Sequence, residues 1–499
     1  MNARVQDFLA EQLATRPDAP ALSDASGTAW CYADLDRART DLAEALRVAG
    51  VQAGDRVLLM VENCAAAVAA LYACWTLDAV AIPVNARQTE AEVTRIIDHA
   101  TPAAVLFTCD ISPEAATHAE RLDARAISGA FGALYLASPL PSTPDADLHD
   151  VAVLLYTTGT TGAPKGVMLT HDNLRFGARA SATLRQMAPG DVVYGVLPMT
   201  HVFGLVSVLM ASVSAGAHVR QEARFSAAKL HAATHDNVTI LPAVPQMHAL
   251  VMQYSRERGM PKLESPCLRY VSSGGAPLDP AWKRKAEAFY ELPLQNGFGM
   301  TETTSGASAT SNPIGSSDTS VGPVTPGTEC KIDDQAPGGN GAGEGEVLVR
   351  GPHVMKGYYR NPSETDKTID AEGWLHTGDL GMVDDAGRLH ILGRSKELII
   401  HGGFNVYPPE VEAALNDHPQ VVQSAVVGRR RDGDEEVLAF VQVAPGDDVT
   451  ADDLRSFVKE RLTGYKRPSQ IIIATDLPAA PTGKILKHRL LTAFAEQLE

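Results

Sequence analysis

Short apolar runs alternate with amphipathic segments along the first part of the chain. Residues 57–61, 79–84 and 103–107 are mostly apolar runs, typical of strands that are buried on both faces. Residues 66–76 and 90–99 lie between these runs and carry apolar positions at helical spacing. Because strands and helices alternate, the pattern predicts a parallel sheet with right-handed crossover connections.

The pattern changes after about residue 300. A glycine-rich turn at 337–343 precedes an apolar strand at 346–351, which predicts a smaller β-rich subdomain. From Arg394 onward, two strands, a helix at 451–462 and a further strand make up a separate domain of about 100 residues. We therefore predict an α/β fold. A large N-terminal domain of several subdomains, with mainly parallel sheets and a β-rich subdomain, is followed by a small α+β C-terminal domain.

Composition narrows the class of protein. The 499 residues include 43 Lys+Arg and 60 Asp+Glu, so the formal net charge is −17. No Lys/Arg cluster forms a basic stripe, which argues against a nucleic-acid partner. The six cysteines form no CxxC pair and are expected to be reduced thiols. The start of the chain has no apolar signal segment, and no apolar stretch is long enough to span a bilayer. These features predict a cytoplasmic enzyme that meets anions only at local sites.

The strongest local motif is the string YTTGTTGAPKG at 156–166. Its glycines let the backbone approach a ligand closely, and successive N–H groups in such a loop form a nest that binds anions. Its threonines add hydroxyl donors, and Lys165 adds a charge suited to phosphate. The string is not a Walker A loop, because Pro164 precedes the lysine and Gly166 follows it. It predicts a phosphate-binding loop rather than a flexible surface loop.

Further strings follow along the chain. NGFGMTE at 296–302 has glycines that let a planar base lie against the backbone, with Phe298 to stack on the base and Glu302 as an oxygen ligand for Mg²⁺. GWLHTGD at 373–379 places Asp379 at the end of a turn, where a carboxylate can accept hydrogen bonds from both ribose hydroxyls. The last two strings are GRSKELII at 393–400 and PTGKI at 481–485.

Taken singly, these residues also fit structural roles. Glu302 fits a strand end with a bulge, Asp379 fits a turn, and His201 fits a packed core histidine. Lys396 and Lys484 are by themselves typical of solvated surface lysines. Their membership of one ordered set is what argues for a function.

In this order and spacing, the strings resemble those of the adenylate-forming superfamily of acyl-CoA synthetases, luciferases and peptide-synthetase adenylation domains. The resemblance runs from about Trp30 to Leu490. It implies an AMP-binding and acyl-binding domain at 1–393, a hinge at 394–397 and a mobile C-terminal lid at 398–499. It also implies ATP, Mg²⁺ and CoA as ligands, and it leaves open whether the protein is a monomer or a homodimer.

The resemblance implies a role for each matching residue. The ATP phosphates are assigned to Thr157, Thr158, Gly159, Thr160, Thr161, Gly162 and Lys165. Adenine and ribose are assigned to Gly275, Ala276, Pro277, Asn296, Gly297, Phe298, Asp379 and Arg394. The acyl pocket is assigned to His201, Phe203, Val244, Met247, Gly274 and Met300. The catalytic residues are Lys484, His201, Glu302 and Thr301, and the metal ligands are Glu302 and Thr157. Lys396 is the hinge residue, and Gly402 and Gly403 line the CoA tunnel.

Physical chemistry accounts for these residue types. A carboxylate must attack the α-phosphorus of ATP, so two anions meet, and Lys484 and Mg²⁺ offset their repulsion. A thiol must then reach the acyl-AMP. A lid that turns about Lys396 withdraws Lys484 and brings Gly402 and Gly403 to the site, where glycines leave room for a thin pantetheine arm.

The identity of the acid is less constrained. The implied acyl pocket is mostly apolar with little fixed positive charge, which disfavours a dicarboxylate such as malonate and favours a fatty acid over an aryl acid. Two departures from the superfamily pattern stand out. Residues 400–403 lack the lysine-rich run that plant coumarate ligases carry after the hinge, which argues against a hydroxycinnamate. Asp78 stands where glycine is usual, far from the chemistry.

The sequence therefore predicts an ATP-dependent acyl-CoA synthetase that releases pyrophosphate and then AMP. One alternative is an acyl-AMP ligase that loads the phosphopantetheine of a carrier protein, and another is a benzoate- or cinnamate-type CoA ligase. The lack of a long insertion between the two domains favours CoA. A non-catalytic nucleotide-binding relative is disfavoured, because Lys165, Glu302, Asp379 and Lys484 are all present.

Overall fold

The computed structural model describes residues 3–138, 143–158, 164–275, 278, 280–402, 404–431, 434–480 and 485–498. Within these residues the strands form two eight-stranded sheets, a four-stranded sheet, a short hairpin and a three-stranded sheet. Strands and helices are numbered in chain order.

The first large sheet carries the predicted phosphate loop. Its strands are β3 (Arg56–Val61), β4 (Val80–Asn85), β5 (Ala104–Phe107), β6 (Arg125–Gly129), β7 (Gly132–Ala137), β8 (Val151–Thr158), β9 (Pro164–Thr170) and β18 (Gly357–Tyr358). Their order is β18-β9-β8-β4-β3-β5-β7-β6. The pairs from β8 to β5 are parallel, and the pairs at both edges are antiparallel. Every residue of β3 is buried, as its unbroken apolar run predicts.

The second large sheet carries the predicted adenine and acyl residues. Its strands are β1 (Pro20–Asp24), β2 (Ala29–Cys31), β10 (Val192–Gly195), β11 (His218–Gln221), β12 (Ile240–Ala243), β13 (Tyr270–Gly274), β14 (Leu294–Phe298) and β15 (Ser308–Ala309). Their order is β15-β14-β13-β12-β10-β11-β1-β2, and only the two outermost pairs of this sheet are antiparallel. Because β12, β13 and β14 are parallel, their carboxyl ends share one edge of the sheet.

Helices cover and separate these sheets. In the N-terminal part they are α1 (Asp7–Thr15), α2 (Tyr32–Val48), α3 (Ala65–Thr76), α4 (Glu90–Ala100), α5 (Pro113–Arg121), α6 (His171–Leu184), α7 (Ala211–Ala215), α8 (Ala227–Asp236), α9 (Pro245–Arg256), α10 (Pro280–Tyr290) and α11 (Pro362–Thr368). Helix α3 is apolar on all sides and contacts β3 and β4 of the first sheet and β1 of the second. It therefore lies in the core between the two sheets.

The β-rich subdomain is an antiparallel sheet. It contains β16 (Glu329–Asp333), β17 (Gly345–Arg350), β19 (Leu375–Val383) and β20 (Leu389–Arg394) in the order β16-β17-β19-β20. A single 3₁₀ turn at Ser395–Glu397 follows β20. The predicted hinge at 394–397 therefore begins at Arg394, the last residue of β20.

The C-terminal part has its own core. Its elements are β21 (Ile399–His401), β22 (Phe404–Val406), α12 (Pro408–Asn416), β23 (Val421–Arg431), β24 (Asp434–Val443), α13 (Ala451–Lys459), β25 (Gln470–Ala474) and α14 (Lys487–Ala493). Strand β24 pairs antiparallel with β23 and parallel with β25. Its buried side chains form two clusters, one that contains Val426 and another that contains Leu438 and Leu490.

The predicted fold class is confirmed, with one refinement. The two large sheets are mixed, because antiparallel edge strands flank the parallel strands that the alternating pattern predicts. No helix in the described part of the chain is long and apolar enough to cross a membrane.

Candidate active site

The predicted phosphate loop joins the ends of β8 and β9. Thr157 pairs with Lys165 across this antiparallel hairpin, so the two residues that flank the loop lie side by side. The Lys165 ammonium forms an ion pair with Glu364 of α11 and lies 5.2 Å from the centre of the Tyr358 ring. The hydrogen bond from Lys165 lowers the pKa of Glu364, which therefore stays ionised. A phosphate is expected to take the place of this carboxylate.

Tyr358 connects Lys165 with the predicted metal ligand Glu302. The Tyr358 hydroxyl donates to Oε1 of Glu302 at 2.8 Å. Burial, and after it the Glu302 charge, raises the pKa of Tyr358, so the phenol keeps its proton. Glu302 and Thr301 lie in a buried 3₁₀ turn, Thr301–Thr303. Neither Tyr358 nor Glu364 was predicted from the sequence, where the available signal was the Gly-Tyr-Tyr string at 357–359.

The donor set fits Mg²⁺. The buried Glu302 carboxylate offers hard oxygen atoms, and a protein commonly holds Mg²⁺ through one or two carboxylates, with substrate phosphates and water completing the shell. No group of three or more His, Cys, Asp or Glu side chains suited to a metal occurs among the described residues. The Glu302 carboxylate therefore suits a Mg²⁺ ion that binds together with a nucleotide, rather than a metal whose ligands all come from the protein.

Asp379 and Arg394 face each other across two strands of the small sheet. They are paired in the register of β19 and β20, and Arg394 Nε lies 3.2 Å from Oδ1 of Asp379. The Asp379 residue is 4% exposed, whereas the Arg394 side chain is half exposed. The expected turn before Asp379 is wrong, because this residue lies inside β19. Gly378, at φ +70°, bends the strand there instead.

The predicted adenine residues meet at the carboxyl ends of β13 and β14. Gly274 pairs with Gly297 in the register of these strands, and a Cβ on Gly297 would lie 3.0 Å from a backbone oxygen. Asn296 is buried, and its amide nitrogen donates to the carbonyl of Ser320 at 3.4 Å. Its Oδ1 has no hydrogen-bond partner among the described residues. A buried acceptor of this kind fits the exocyclic amine of adenine.

The predicted acyl residues lie beside the same edge. The Phe203 ring contacts Gly274, where a Cβ would come within 2.9 Å of it, and Val244 lies 3.9 Å from the corresponding position on Gly275. Met247 in α9 is buried, and Met300 packs against the same core. Phe203 and Val244 are thus brought to the adjacent glycines at the end of β13, while Met247 and Met300 belong to the surrounding core.

His201 lies at the exposed end of this group. The backbone amide of Phe203 donates to its Nδ1 at 3.3 Å. In the neutral ring the proton is therefore on Nε2, which can donate to an acceptor.

A buried cation that the sequence did not reveal lies behind Phe203. The Arg185 guanidinium carbon is 6.0 Å from the centre of the Phe203 ring, and Arg185 is 5% exposed. The acyl pocket was expected to be mostly apolar with little fixed positive charge, and this expectation did not include Arg185. Arg185 follows α6 in a polar stretch and carries no motif, so only the tertiary fold identifies it.

The described hinge and lid residues lie in the turn after β20 and in the hairpin of β21 and β22. Lys396, in the 3₁₀ turn after β20, is exposed, and its charge contributes to lowering the pKa of Glu364. Gly402, at φ +58°, turns the exposed hairpin of β21 and β22 and donates to Asp434. Lys487, the first residue of α14, forms ion pairs with Glu397 at 3.0 Å and Glu412 at 2.8 Å.

Several predicted site residues lie outside the described residues. They are Gly159, Thr160, Thr161, Gly162, Ala276, Pro277, Gly403 and Lys484, and the side chain of Thr158 is likewise not described.

Two family models match the chain. The model for AMP-binding enzymes matches residues 9–359, and the model for the C-terminal domain of these enzymes matches residues 410–484. The chain belongs to the AMP-binding, adenylate-forming enzyme superfamily. Within it the protein is an AMP-forming acid–CoA ligase, as predicted.

Individual relatives agree with this class. The chain is 34% identical to 4-coumarate–CoA ligase 5 of Oryza sativa subsp. japonica, over 98% of this chain and 94% of the relative. It is also 34% identical to feruloyl-CoA synthase of Amycolatopsis sp, over 94% of each chain. The o-succinylbenzoate coenzyme A synthetase of Bacillus subtilis, solved in complex with ATP and a magnesium ion, superposes with a TM-score of 0.80 at 28% identity. That match covers 97% of this chain and 98% of the solved one. The predicted use of ATP, Mg²⁺ and CoA is confirmed at the level of the family.

Proposed function

We propose that the chain activates a carboxylic acid with the residue roles that sequence analysis assigned. The acid's carboxylate attacks the α-phosphorus of ATP, pyrophosphate leaves, and acyl-AMP forms. The CoA thiol then attacks the acyl carbonyl, and AMP leaves as the carbon–sulfur bond forms. The observation that carries the proposal is the chain of contacts from Glu302 through Tyr358 to Lys165, since it joins a carboxylate suited to Mg²⁺ to the phosphate hairpin.

Fixed charges prepare the cleft for the first step. Lys165 exchanges Glu364 for a phosphate, which keeps the ammonium paired in both states. Glu302 and Thr157 would hold Mg²⁺, which supplies charge neutralisation at the phosphates. Asp379 accepts the ribose hydroxyls, and the Arg394 guanidinium, 3.2 Å away, faces that buried carboxylate with the opposite charge.

His201 positions the reacting acid. Its Nε2–H can donate to the acid's carboxylate, because Nδ1 already accepts from the Phe203 amide. Gly274 and Gly275 leave the carboxylate room to approach the nucleotide, since neither glycine fills the site with a Cβ.

The second step needs a different arrangement of the C-terminal part. We assign residues 1–393 to the body, 394–397 to the hinge and 398–499 to the lid, and Lys484 to the charge that the lid delivers. Hydrogen bonds from Thr89 lower the pKa of Glu92 in α4 against the effect of burial, and the charge of Arg489 in α14 adds to this lowering. Helix α4 is tied to the phosphate hairpin, because His99 Nδ1 lies 2.8 Å from the Tyr156 hydroxyl. This supports a lid that rests beside the phosphate hairpin, near where Lys484 is needed.

For the acid itself we propose a compact aryl acid in place of the fatty acid that the apolar walls favour. Polar groups lie close to Phe203: Arg185 is near its ring and donates to the Ser207 carbonyl, and the Ser207 hydroxyl is hydrogen-bonded to that of Ser305. A long alkyl chain would have to bury these groups without partners, which is unfavourable. The two curated relatives named above are, by their names, ligases of aryl acids.

A panel of carboxylic acids tests the proposal. Acid-dependent pyrophosphate release from ATP and Mg²⁺, measured first without CoA, should occur with aryl acids and be weak with long-chain fatty acids. Addition of CoA should then release AMP, whereas a phosphopantetheinylated carrier protein should not replace CoA. Pyrophosphate release without any AMP release on CoA addition would point to the carrier-protein alternative.

A further inference from the structure

Arg185 is a buried arginine with an unsatisfied donor. It follows α6, and its Nη1 donates to the backbone carbonyl of Ser207. Its Nε has no hydrogen-bond partner among the described residues. Burial lowers the pKa of its guanidinium, but arginine retains its proton in proteins. The chain thus holds a full positive charge in its interior.

No carboxylate in the described part of the chain forms an ion pair with Arg185, and two other arginines show how this fold usually satisfies the group. Arg269 pairs with Asp191, with its Nε 2.9 Å from Oδ1. Arg56, which is 1% exposed, donates to several backbone carbonyls, among them those of Ala100 and Thr143 at 2.9 Å. Arg185 is less completely satisfied: it hydrogen-bonds to the Ser207 carbonyl and to the Tyr270 side chain, and its Nε is left without a partner among the described residues.

The guanidinium lies next to the proposed acyl pocket. It is 6.0 Å from the centre of the Phe203 ring, whose edge contacts Gly274. The hydroxyl of Ser207 is hydrogen-bonded to those of Ser305 and Ser181, the latter at 3.0 Å.

Two walls of the pocket lead to this polar group. Ser305 follows the turn that carries Glu302, and its amide donates to the carbonyl of Met300 at 3.3 Å. Tyr270, which interacts with the Arg185 guanidinium, begins β13, the strand that ends at Gly274. Two of the residues assigned to the acyl pocket, Met300 and Gly274, are therefore connected through the chain to the polar group around Arg185.

We propose that Arg185 determines specificity by binding an anionic group, in the simplest case a second carboxylate, at the end of the acid opposite the reacting carboxylate. A buried charge without a counter-charge is costly, and an anionic ligand supplies one. A carboxylate can accept from Nε and Nη2 of a guanidinium together, which a neutral acceptor does less well. This inference rests on the proposed function, because it assigns the far end of the same acyl pocket.

The test compares acids that share a skeleton. The wild-type protein is assayed by pyrophosphate release with cinnamate, 4-hydroxycinnamate and 4-carboxycinnamate, and with octanoate and octanedioate. We expect kcat/KM to be at least tenfold higher for each carboxy-bearing acid than for its unsubstituted counterpart. Arg185→Met should abolish this preference, mainly by lowering the kcat/KM for the carboxy-bearing acid of each pair, while Arg185→Lys should retain part of the preference. The KM for ATP should not change.

Arg179→Met is the matched control, because Arg179 lies on α6, the helix that Arg185 follows, with a side chain that is 58% exposed. It should keep the wild-type preference. An equal loss on both acids of a pair in a folded Arg185→Met protein would overturn the inference, as would a wild-type preference for the unsubstituted or the hydroxylated acid. If Arg185→Met fails to fold, the inference is tested by the wild-type kcat/KM ratios between the acids of each pair and by the same ratios in Arg185→Lys. Absence of pyrophosphate release with every acid would refute the proposed function instead.

Discussion

The Tyr358 hydroxyl donates a hydrogen bond to the buried Glu302 carboxylate at 2.8 Å, while the same tyrosine ring lies 5.2 Å from the Lys165 ammonium. These two contacts join strand β18 to the phosphate hairpin and to the turn after β14. The orientation of Glu302 therefore depends on a residue 56 positions away in the sequence.

Tyr358→Phe should weaken use of Mg·ATP without unfolding the protein. The phenylalanine keeps the ring beside Lys165 but removes the donor to Glu302. Hydrogen bonds to charged groups contribute about 1.5–3 kcal/mol, so kcat/KM for Mg·ATP should fall about tenfold or more. The measurement is initial-rate pyrophosphate release across a Mg²⁺ titration. Tyr359→Phe is the matched control, because the neighbouring hydroxyl donates to Asp145 at 3.2 Å instead. Equal behaviour of the two variants would contradict the proposed role of Tyr358.

Asp379→Asn should raise the KM for ATP and leave the KM for the acid unchanged. The substitution removes the charge that faces Arg394 and replaces one acceptor oxygen with a donor. A loss of about 1.5–3 kcal/mol corresponds to a rise of about tenfold or more in KM. Asp384→Asn serves as the control, since Asp384 also pairs with an arginine, Arg388, in the same sheet region. A rise in the acid KM as large as that for ATP would count against a ribose contact.

Lys484→Ala should separate the two half-reactions. Loss of one fixed charge that stabilises the transition state costs about 10²–10³ in rate, and this loss should fall on acyl-AMP formation. Consumption of chemically prepared acyl-AMP by CoA should stay within about threefold of wild type, since the lysine is withdrawn in that step. The exposed Lys459 provides Lys459→Ala as a control. Equal losses in both steps would show that Lys484 serves something other than adenylation.

A buried histidine should make stability depend on pH. His248 is fully buried; its Nε2 lies 3.1 Å from the Ser272 carbonyl and its Nδ1 lies 2.8 Å from the Tyr290 hydroxyl. Burial lowers the pKa of His248 to about 4. Between about pH 6.5 and about pH 4 the unfolded chain binds the proton and the folded chain does not, so the free energy of unfolding falls as pH decreases through this window.

The change is measured by urea unfolding at pH 7 and pH 5. His248→Gln should be less stable than wild type at pH 7 and should lose less stability between the two pH values. The pKa shift of His248 corresponds to a change of the order of 3 kcal/mol in the free energy of unfolding across the whole pH window. Part of this change falls between pH 7 and pH 5. His149→Gln, at an exposed position, should keep the wild-type slope. An unchanged slope in His248→Gln would contradict the burial argument.

Local patterns determined much of this protein. The apolar run at 57–61 became the fully buried strand β3, and the string at 156–166 fell on a hairpin whose flanking residues Thr157 and Lys165 are paired. The ordered motifs identified the superfamily before any coordinates, because glycines and charged groups for nucleotide chemistry occur there at fixed spacing in short segments. These features depend on neighbours in sequence, which a linear pattern records.

Only the tertiary structure decided which distant residues complete the site. Tyr358 reaches Glu302 because β18 adds to the edge of β9, and Asp379 meets Arg394 because of the register of β19 with β20. The role proposed for Arg185 arises only because α6 ends beside the segment that carries Phe203 and Ser207. Side-chain burial and long-range pairing are set by how sheets and helices pack. A lone arginine after a helix therefore gave no signal in the sequence, although it lies beside the pocket for the acid.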